Sequence, residues 1–152
     1  MKLKPLLSPT RIALKLNLSS KKKTLQAVSE LLAKDIPSIN KDLVFDALTD
    51  REKLGSTGLG AGIAMPHCRY PDCCEPICAI MTLDNGGIAF DARDGKNIDL
   101  FWALIVPTDS AEDHLQTLAL MAEKLTQPEI CTAIRQAKDP AKLYLLLSEG
   151  KI

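Results

Sequence analysis

His67 and His114 are the only histidines in the chain, and each stands where a reactive side chain is expected. His67 closes a stretch with little side-chain bulk, Gly55-Ser56-Thr57-Gly58-Leu59-Gly60-Ala61-Gly62, followed by Ile63-Ala64-Met65-Pro66. Glycine at that density costs conformational entropy, so it marks a loop whose backbone must approach something closely or adopt positive φ. His114 lies just beyond the apolar run that ends at Val106, and in open α/β sheets functional sites gather past the carboxyl ends of strands. Cysteine is the other reactive type. Cys68, Cys73, Cys74 and Cys78 fall within eleven residues, and Cys131 stands apart.

An imidazole in this setting has three chemistries open to it. General-base work needs a nucleophile to activate, and no Gly-x-Ser-x-Gly elbow is present. Metal binding would use His67 with the neighbouring thiols. Their spacing, His-Cys-x4-Cys-Cys-x3-Cys, has no second ligand pair downstream of the kind structural zinc sites use. The cysteines therefore read first as buried or incidental thiols. The third chemistry is nucleophilic attack by a neutral ring nitrogen on a phosphoryl group, which needs little activation near neutral pH. It needs donors around the phosphoryl oxygens, and the backbone of Ser56, Thr57, Gly58, Gly60 and Gly62 is the candidate source. It also needs positive charge, and Arg51 offers a planar fork. The glycine run is not a Walker loop, because Gly-x4-Gly-Lys-Ser/Thr is absent, so nucleotide binding is disfavoured.

The elements that must position these residues follow from periodicity. Ile12 to Leu18 reads as a short strand, and Ser19 or Ser20 caps a helix over 21–34 with Leu25, Val28, Leu31 and Leu32 on one face. Asn40 caps a second helix, with the stripe Leu43, Val44, Ala47 and Leu48, that carries Arg51 in its last turn. Residues 55–62 read as loop. Pro76 to Leu83 is a strand, Asn85-Gly86-Gly87 a turn, and Ile88 to Phe90 a short strand. After a turn at Asp94-Gly95, Ile98 to Val106 is a continuous apolar run, the pattern of a strand buried on both faces. Asp109 or Ser110 caps a third helix with Leu115, Leu118, Met121, Ala122 and Leu125 on one side. Pro128 opens a fourth helix to about Gln136, and Asp139-Pro140 a last one to Gly150. Helices and strands interleave throughout, so the class is α/β, as one domain over residues 1–152.

Bulk properties narrow the function classes. Nineteen basic residues balance nineteen acidic ones, which leaves no electrostatic reason to expect nucleic acid or an anionic membrane as partner. The longest apolar stretches are strand-length, short of the ~20 residues a spanning helix needs. Met1-Lys2-Leu3-Lys4 is followed by no apolar region with a small-residue cleavage site, so a cytoplasmic chain with reduced thiols is expected.

The motifs in register then carry a family resemblance. Leu48-Thr49-Asp50-Arg51-Glu52, followed by Gly55 to His67, resembles the active-site signature of phosphotransferase-system enzyme IIA domains of the fructose/mannitol class, with the nitrogen-regulatory branch the most similar. Val106-Pro107 with Glu112-Asp113-His114-Leu115-Gln116 is a second matching block. Ile88 to Ala92 with Asp94-Gly95 and Ile98-Asp99-Leu100 is a softer third. The resemblance implies a mixed β-sheet flanked by helices. It implies that His67 accepts a phosphoryl group on its tele nitrogen from a phosphohistidine carrier like HPr or NPr, with His114 supporting and Arg51 holding charge, and with no cofactor or metal. It further implies that the phosphorylation state regulates partner proteins, potassium-transport or sensor-kinase proteins among them. The absence of a IIB or IIC segment from these residues favours that role over a sugar-specific IIA passing phosphate to a IIB cysteine. A cysteine-cluster metal or redox sensor is the alternative from another class. Cys68 departs from the small residue that many members carry after the histidine. A homo-oligomer is compatible with all of this.

Overall fold

The computed structural model describes residues 6–149 apart from 72, 74, 85, 109 and 110, and of 111–115 it describes the backbone only. Its elements in chain order are β1 (Ile12–Leu16), α1 (Lys21–Ala33), α2 (Lys41–Lys53), β2 (Gly58–Gly60), β3 (Ile63–Ala64), β4 (His67–Arg69), β5 (Ile77–Leu83), β6 (Leu100–Val106), α3 (Ala111–Leu125), α4 (Pro128–Gln136) and α5 (Pro140–Ser148).

The strands form one mixed sheet in the order β1-β5-β6-β3-β2, with β4 also paired to β6. β5 and β6 are antiparallel, with Ile80 opposite Trp102, while β1 runs parallel to β5. β3 and β4 both run parallel to β6, one at Leu100–Phe101 and the other at Leu104–Val106. They are two pieces of one edge, broken at Met65-Pro66, where proline has no N–H to give a ladder. The break leaves the Pro66 carbonyl to accept the Leu104 N–H at 2.9 Å.

Both faces of the sheet are covered. Side chains alternate along β6, so Phe101, Ala103 and Ile105 pack on one side and Leu100, Trp102, Leu104 and Val106 on the other. The first side is closed by Leu25, Val28, Leu31 and Leu32 of α1 and Val44 and Leu48 of α2. The second is closed by Met121 and Leu125 of α3, Ile130, Cys131 and Ile134 of α4, and Leu143 and Leu147 of α5. The apolar run of β6 is thus buried on both faces, as its composition requires.

The helix starts follow side-chain capping. Ser20 Oγ accepts the Lys23 N–H, Asn40 Oδ1 accepts those of Asp42 and Leu43, and Asp139 Oδ1 accepts that of Ala141. Each satisfies donors that the first helical turn leaves unpaired. The expected cap of α3 at Asp109 or Ser110, and the expected end of α5 at Gly150, lie outside the described residues.

Three expectations are corrected. Leu43 is 56% exposed, and the buried stripe of α2 is Val44, Leu48 and then Glu52, a strict i, i+4, i+8 row. The strand expected over 88–90 shrinks to one bridge between Ile88 and Ile98, because Asp91 turns to a φ of 56° and ends the extended chain. The loop expected over 55–62 is largely a hairpin, β2 antiparallel to β3, turned through Gly60, Ala61 and Gly62, all at positive φ.

Candidate active site

The hairpin exists because distant side chains hold its tip. The Ala61 N–H donates to Asp94 Oδ2 at 3.1 Å, and the Ala61 carbonyl accepts from Arg135 Nη2 at 2.7 Å. Arg135 is fixed in turn by Asp99, with Nε and Nη2 at 3.1 and 2.9 Å from Oδ1. A side chain at Gly62 would put Cβ 2.8 Å from Arg135 Nη2 and 3.0 Å from Asp99 Oδ1, so this glycine is required by close approach as well as by its φ of 81°.

At the hairpin's other end the chain passes through Met65-Pro66 into β4. His67 is the first residue of that strand, half-buried, and lies on the side of β4 opposite Cys68. Its Nδ1 is 2.8 Å from the Met65 carbonyl oxygen. A carbonyl can only accept, so Nδ1 carries the proton and Nε2 keeps its lone pair free. Burial lowers the ring's proton affinity from the usual imidazole value of 6.5. The Arg51 charge lowers it further, while the Met65 hydrogen bond and the charge of Glu52 act the other way. The outcome is a neutral ring at neutral pH with Nε2 nucleophilic.

Arg51 sits in the last turn of α2, and its Nη1 donates to the Gly55 carbonyl at 2.9 Å. Its other N–H groups have no protein acceptor among the described residues. Arg51 and His67 thus come from different elements into one electrostatic neighbourhood. His114 lies in the first turn of α3, past the carboxyl end of β6, and its side chain is outside the described residues.

Two of the candidate donors of the glycine run, the Thr57 and Gly58 N–H groups, are committed to the protein itself. The Thr57 N–H lies 3.3 Å from both carboxylate oxygens of Glu52, and the Thr57 hydroxyl donates to Glu52 Oε1. The Gly58 N–H donates to Ser56 Oγ, whose own proton goes to the Phe90 carbonyl. Gly60 and Gly62 shape the turn. Sequence reasoning gave Glu52 no role, although its place as the next member of the Val44–Leu48 row was the available signal: a carboxylate at a core position must have partners.

The cysteines, dense in sequence, separate in space. Cys68 and Cys73 belong to the apolar cluster on the α1–α2 side of the sheet and Cys78 to the cluster on the other side. Burial pushes the Cys68 and Cys78 thiols up to about 12. Among the described residues no group of three or more metal-ligating side chains occurs. Cys74 is outside them. No helix among the described residues is long and apolar enough to cross a membrane.

With this geometry in hand, the known relatives of the chain are informative. The nitrogen regulatory protein of Pseudomonas aeruginosa is 37% identical over 147 residues, covering 97% of this chain and 95% of that protein. That of Escherichia coli K12 is 40% identical over 130 residues, covering 86% and 79%. The crystal structure of nitrogen regulatory protein IIA-Ntr from Neisseria meningitidis superposes with a TM-score of 0.86 at 32% identity, covering 95% of this chain and 98% of that one. The mixed sheet flanked by helices is therefore the IIA-Ntr fold. The model for EIIA 2 of the phosphoenolpyruvate-dependent sugar phosphotransferase system matches residues 5–150, and with these relatives it makes the chain a member of that IIA family, similar above all to nitrogen regulatory proteins.

Proposed function

We propose that this protein is a phosphocarrier of a nitrogen-type phosphotransferase system, in which His67 Nε2 accepts a phosphoryl group from a phosphohistidine carrier of the HPr or NPr kind. The observation that carries the reading is the 2.8 Å contact between His67 Nδ1 and the Met65 carbonyl. It holds the ring in one tautomer and aims the free lone pair away from the backbone. Transfer between two imidazoles is chiefly a matter of positioning and charge, with little covalent chemistry left for other groups.

In this reading Arg51 meets the phosphoryl oxygens with the N–H groups that Gly55 does not use, and His114 supports the phosphorylated ring from the start of α3. Ser56, Thr57, Gly58, Gly60 and Gly62 serve the transfer by building the hairpin that delivers His67 rather than by donating to the phosphoryl group. Balance requires only that the N–P bond on the carrier breaks as the Nε2–P bond forms, the carrier's imidazole leaving with its electron pair. Phosphorylation adds about −1.5 to −2 charge at the surface, enough to change which protein surfaces dock there without refolding the chain. Regulatory partners that read this charge are the expected output.

The test is direct. Wild type and His67→Ala are incubated with phosphoenolpyruvate, enzyme I and an HPr- or NPr-type carrier. An acid-labile, base-stable adduct on wild type that is lost in the variant is expected. Undiminished labelling of His67→Ala would reject the proposal. His114→Ala and Arg51→Ala should still be labelled, more slowly. Transfer onward to a IIB cysteine in the same assay would favour a sugar-specific role instead.

A further inference from the structure

A buried carboxylate in the interior of a small domain calls for explanation, since a buried ion pair is seldom retained for stability alone. The Glu52 side chain is only 4% exposed. It is the residue after Arg51, at the end of α2, and it is fully partnered. Oε2 lies 3.2 Å from the Lys21 ammonium, and the carboxylate accepts the N–H and the hydroxyl of Thr57.

From Thr57 the contacts continue to the ring. The Thr57 carbonyl accepts the Met65 N–H at 3.0 Å, and the Met65 carbonyl accepts the His67 Nδ1–H at 2.8 Å. Thr57 and Met65 are each 5% exposed, so water cannot substitute readily at these steps. Lys21 is anchored in turn, with its ammonium 4.5 Å from the centre of the Phe90 ring, whose backbone carbonyl takes the Ser56 hydroxyl.

We infer that Glu52 is a positioning residue for His67: through Thr57 and Met65 it sets the register between the end of α2, which carries Arg51, and the strand that carries the imidazole. Adjacent residues of one helix turn then grasp the glycine run at two points, Arg51 at Gly55 and Glu52 at Thr57. The spacing between the guanidinium and Nε2 is set by those grips, because the hairpin between them has few side chains to lock it. This inference rests on the reading of His67 as phosphoryl acceptor for its kinetic consequence, but its structural consequence can be read without any phosphoryl donor.

The experiment combines both readouts on the full chain. Glu52→Ala is expected to lower the rate of phosphoryl acceptance at saturating carrier by about 10- to 100-fold, with the carrier's KM little changed, because misplaced rather than missing groups are responsible. Ring 15N shifts of His67, recorded with the ring neutral, should move from a single Nδ1–H form toward a mixture with the Nε2–H form. Glu52→Gln combined with Lys21→Met keeps an acceptor for Thr57 and removes the ammonium that would face the amide. This pair should restore the single tautomer and bring transfer back to within a few-fold of wild type. Wild-type saturating rates in Glu52→Ala, a change confined to KM, or an unchanged ring signature would each overturn the inference. Should Glu52→Ala fail to fold, Thr57→Val carries a milder form of the test, since it removes the hydroxyl contact but leaves the ion pair and the Thr57 N–H contact. A smaller loss in the same direction in rate and ring signature is expected, and wild-type behaviour in both would overturn the inference. Absence of labelling in wild type would reject the phosphocarrier reading, and the tautomer comparison would still decide the role of Glu52.

Discussion

The β5–β6 pair and the glycine hairpin lie in the same sheet and are held by opposite means. Every residue of Ile77–Leu83 and Leu100–Val106 is buried, and their partners are chiefly apolar side chains above and below. Gly58 to Gly62 has almost no side chains to bury; its tip depends on Asp94, Asp99 and Arg135 and the adjoining Thr57 on Glu52, residues drawn from both directions along the chain. An apolar strand pair tolerates small shifts, because dispersion and burial are non-directional. A hairpin held by hydrogen bonds and ion-paired side chains is set by direction and distance. His67, the proposed phosphoryl acceptor, is attached to the second kind of structure, where position is defined most narrowly.

Substitutions can break that comparison on either side. Phe101→Ala, in the strand pair, removes a fully buried ring in edge contact with Phe90 and should destabilise the fold by about 3–5 kcal/mol in denaturant titration. Gly62→Val, in the hairpin, should cost less, about 1–3 kcal/mol, through left-handed backbone strain and displacement of Arg135. Its effect on phosphoryl acceptance should nonetheless be the larger of the two at temperatures where both variants are folded. Equal damage to transfer from both would show that the hairpin has no special role.

A smaller effect concerns pH. Burial, aided by Arg51, holds the folded His67 ring below its unfolded value near 6.5. Between the folded and unfolded values the unfolded chain binds more protons, so stability rises with pH there. The contribution is fully present above about 6.5 and is lost as pH falls through the folded value. His67→Gln should flatten this part of the stability profile, measured by thermal unfolding from pH 5 to pH 8. A profile that keeps its slope in the variant would assign it to other groups. Smallest of all, Leu43→Ala should change stability by no more than about 0.5 kcal/mol, since that side chain is solvated, whereas the neighbouring Val44 is fully buried.

Much of the fold was legible because its signals are local. Ser20, Asn40 and Asp139 announce helix starts with their own side chains. The unbroken run from Leu100 to Val106 can be accommodated only between two covered faces. Leu43 misled because helical periodicity gives the direction of a stripe but not its width, and α2 buries a narrow row. The hairpin reads as loop in the sequence because glycine spacing carries no information about partners that are 33 and 74 residues away. The cysteines read from spacing as buried thiols, and Cys68, Cys73 and Cys78 are buried; what spacing does not carry is that alternation along strands and the passage from β4 to β5 send Cys68 and Cys78 to opposite faces.

Sequence alone determined the class of the fold, the caps of α1, α2 and α5, the doubly buried central strand and the family to which the motifs around Arg51, His67 and His114 are matched. These follow from periodicity, from side-chain chemistry within a few residues, and from motifs that can be aligned by eye. Tertiary structure decided which nitrogen of His67 is free, that the Thr57 and Gly58 amides turn inward, and that Glu52 stands at the head of a buried path to the imidazole. Those outcomes depend on where carbonyls and carboxylates from separate elements meet, and hydrogen-bond direction exists only once the chain has folded.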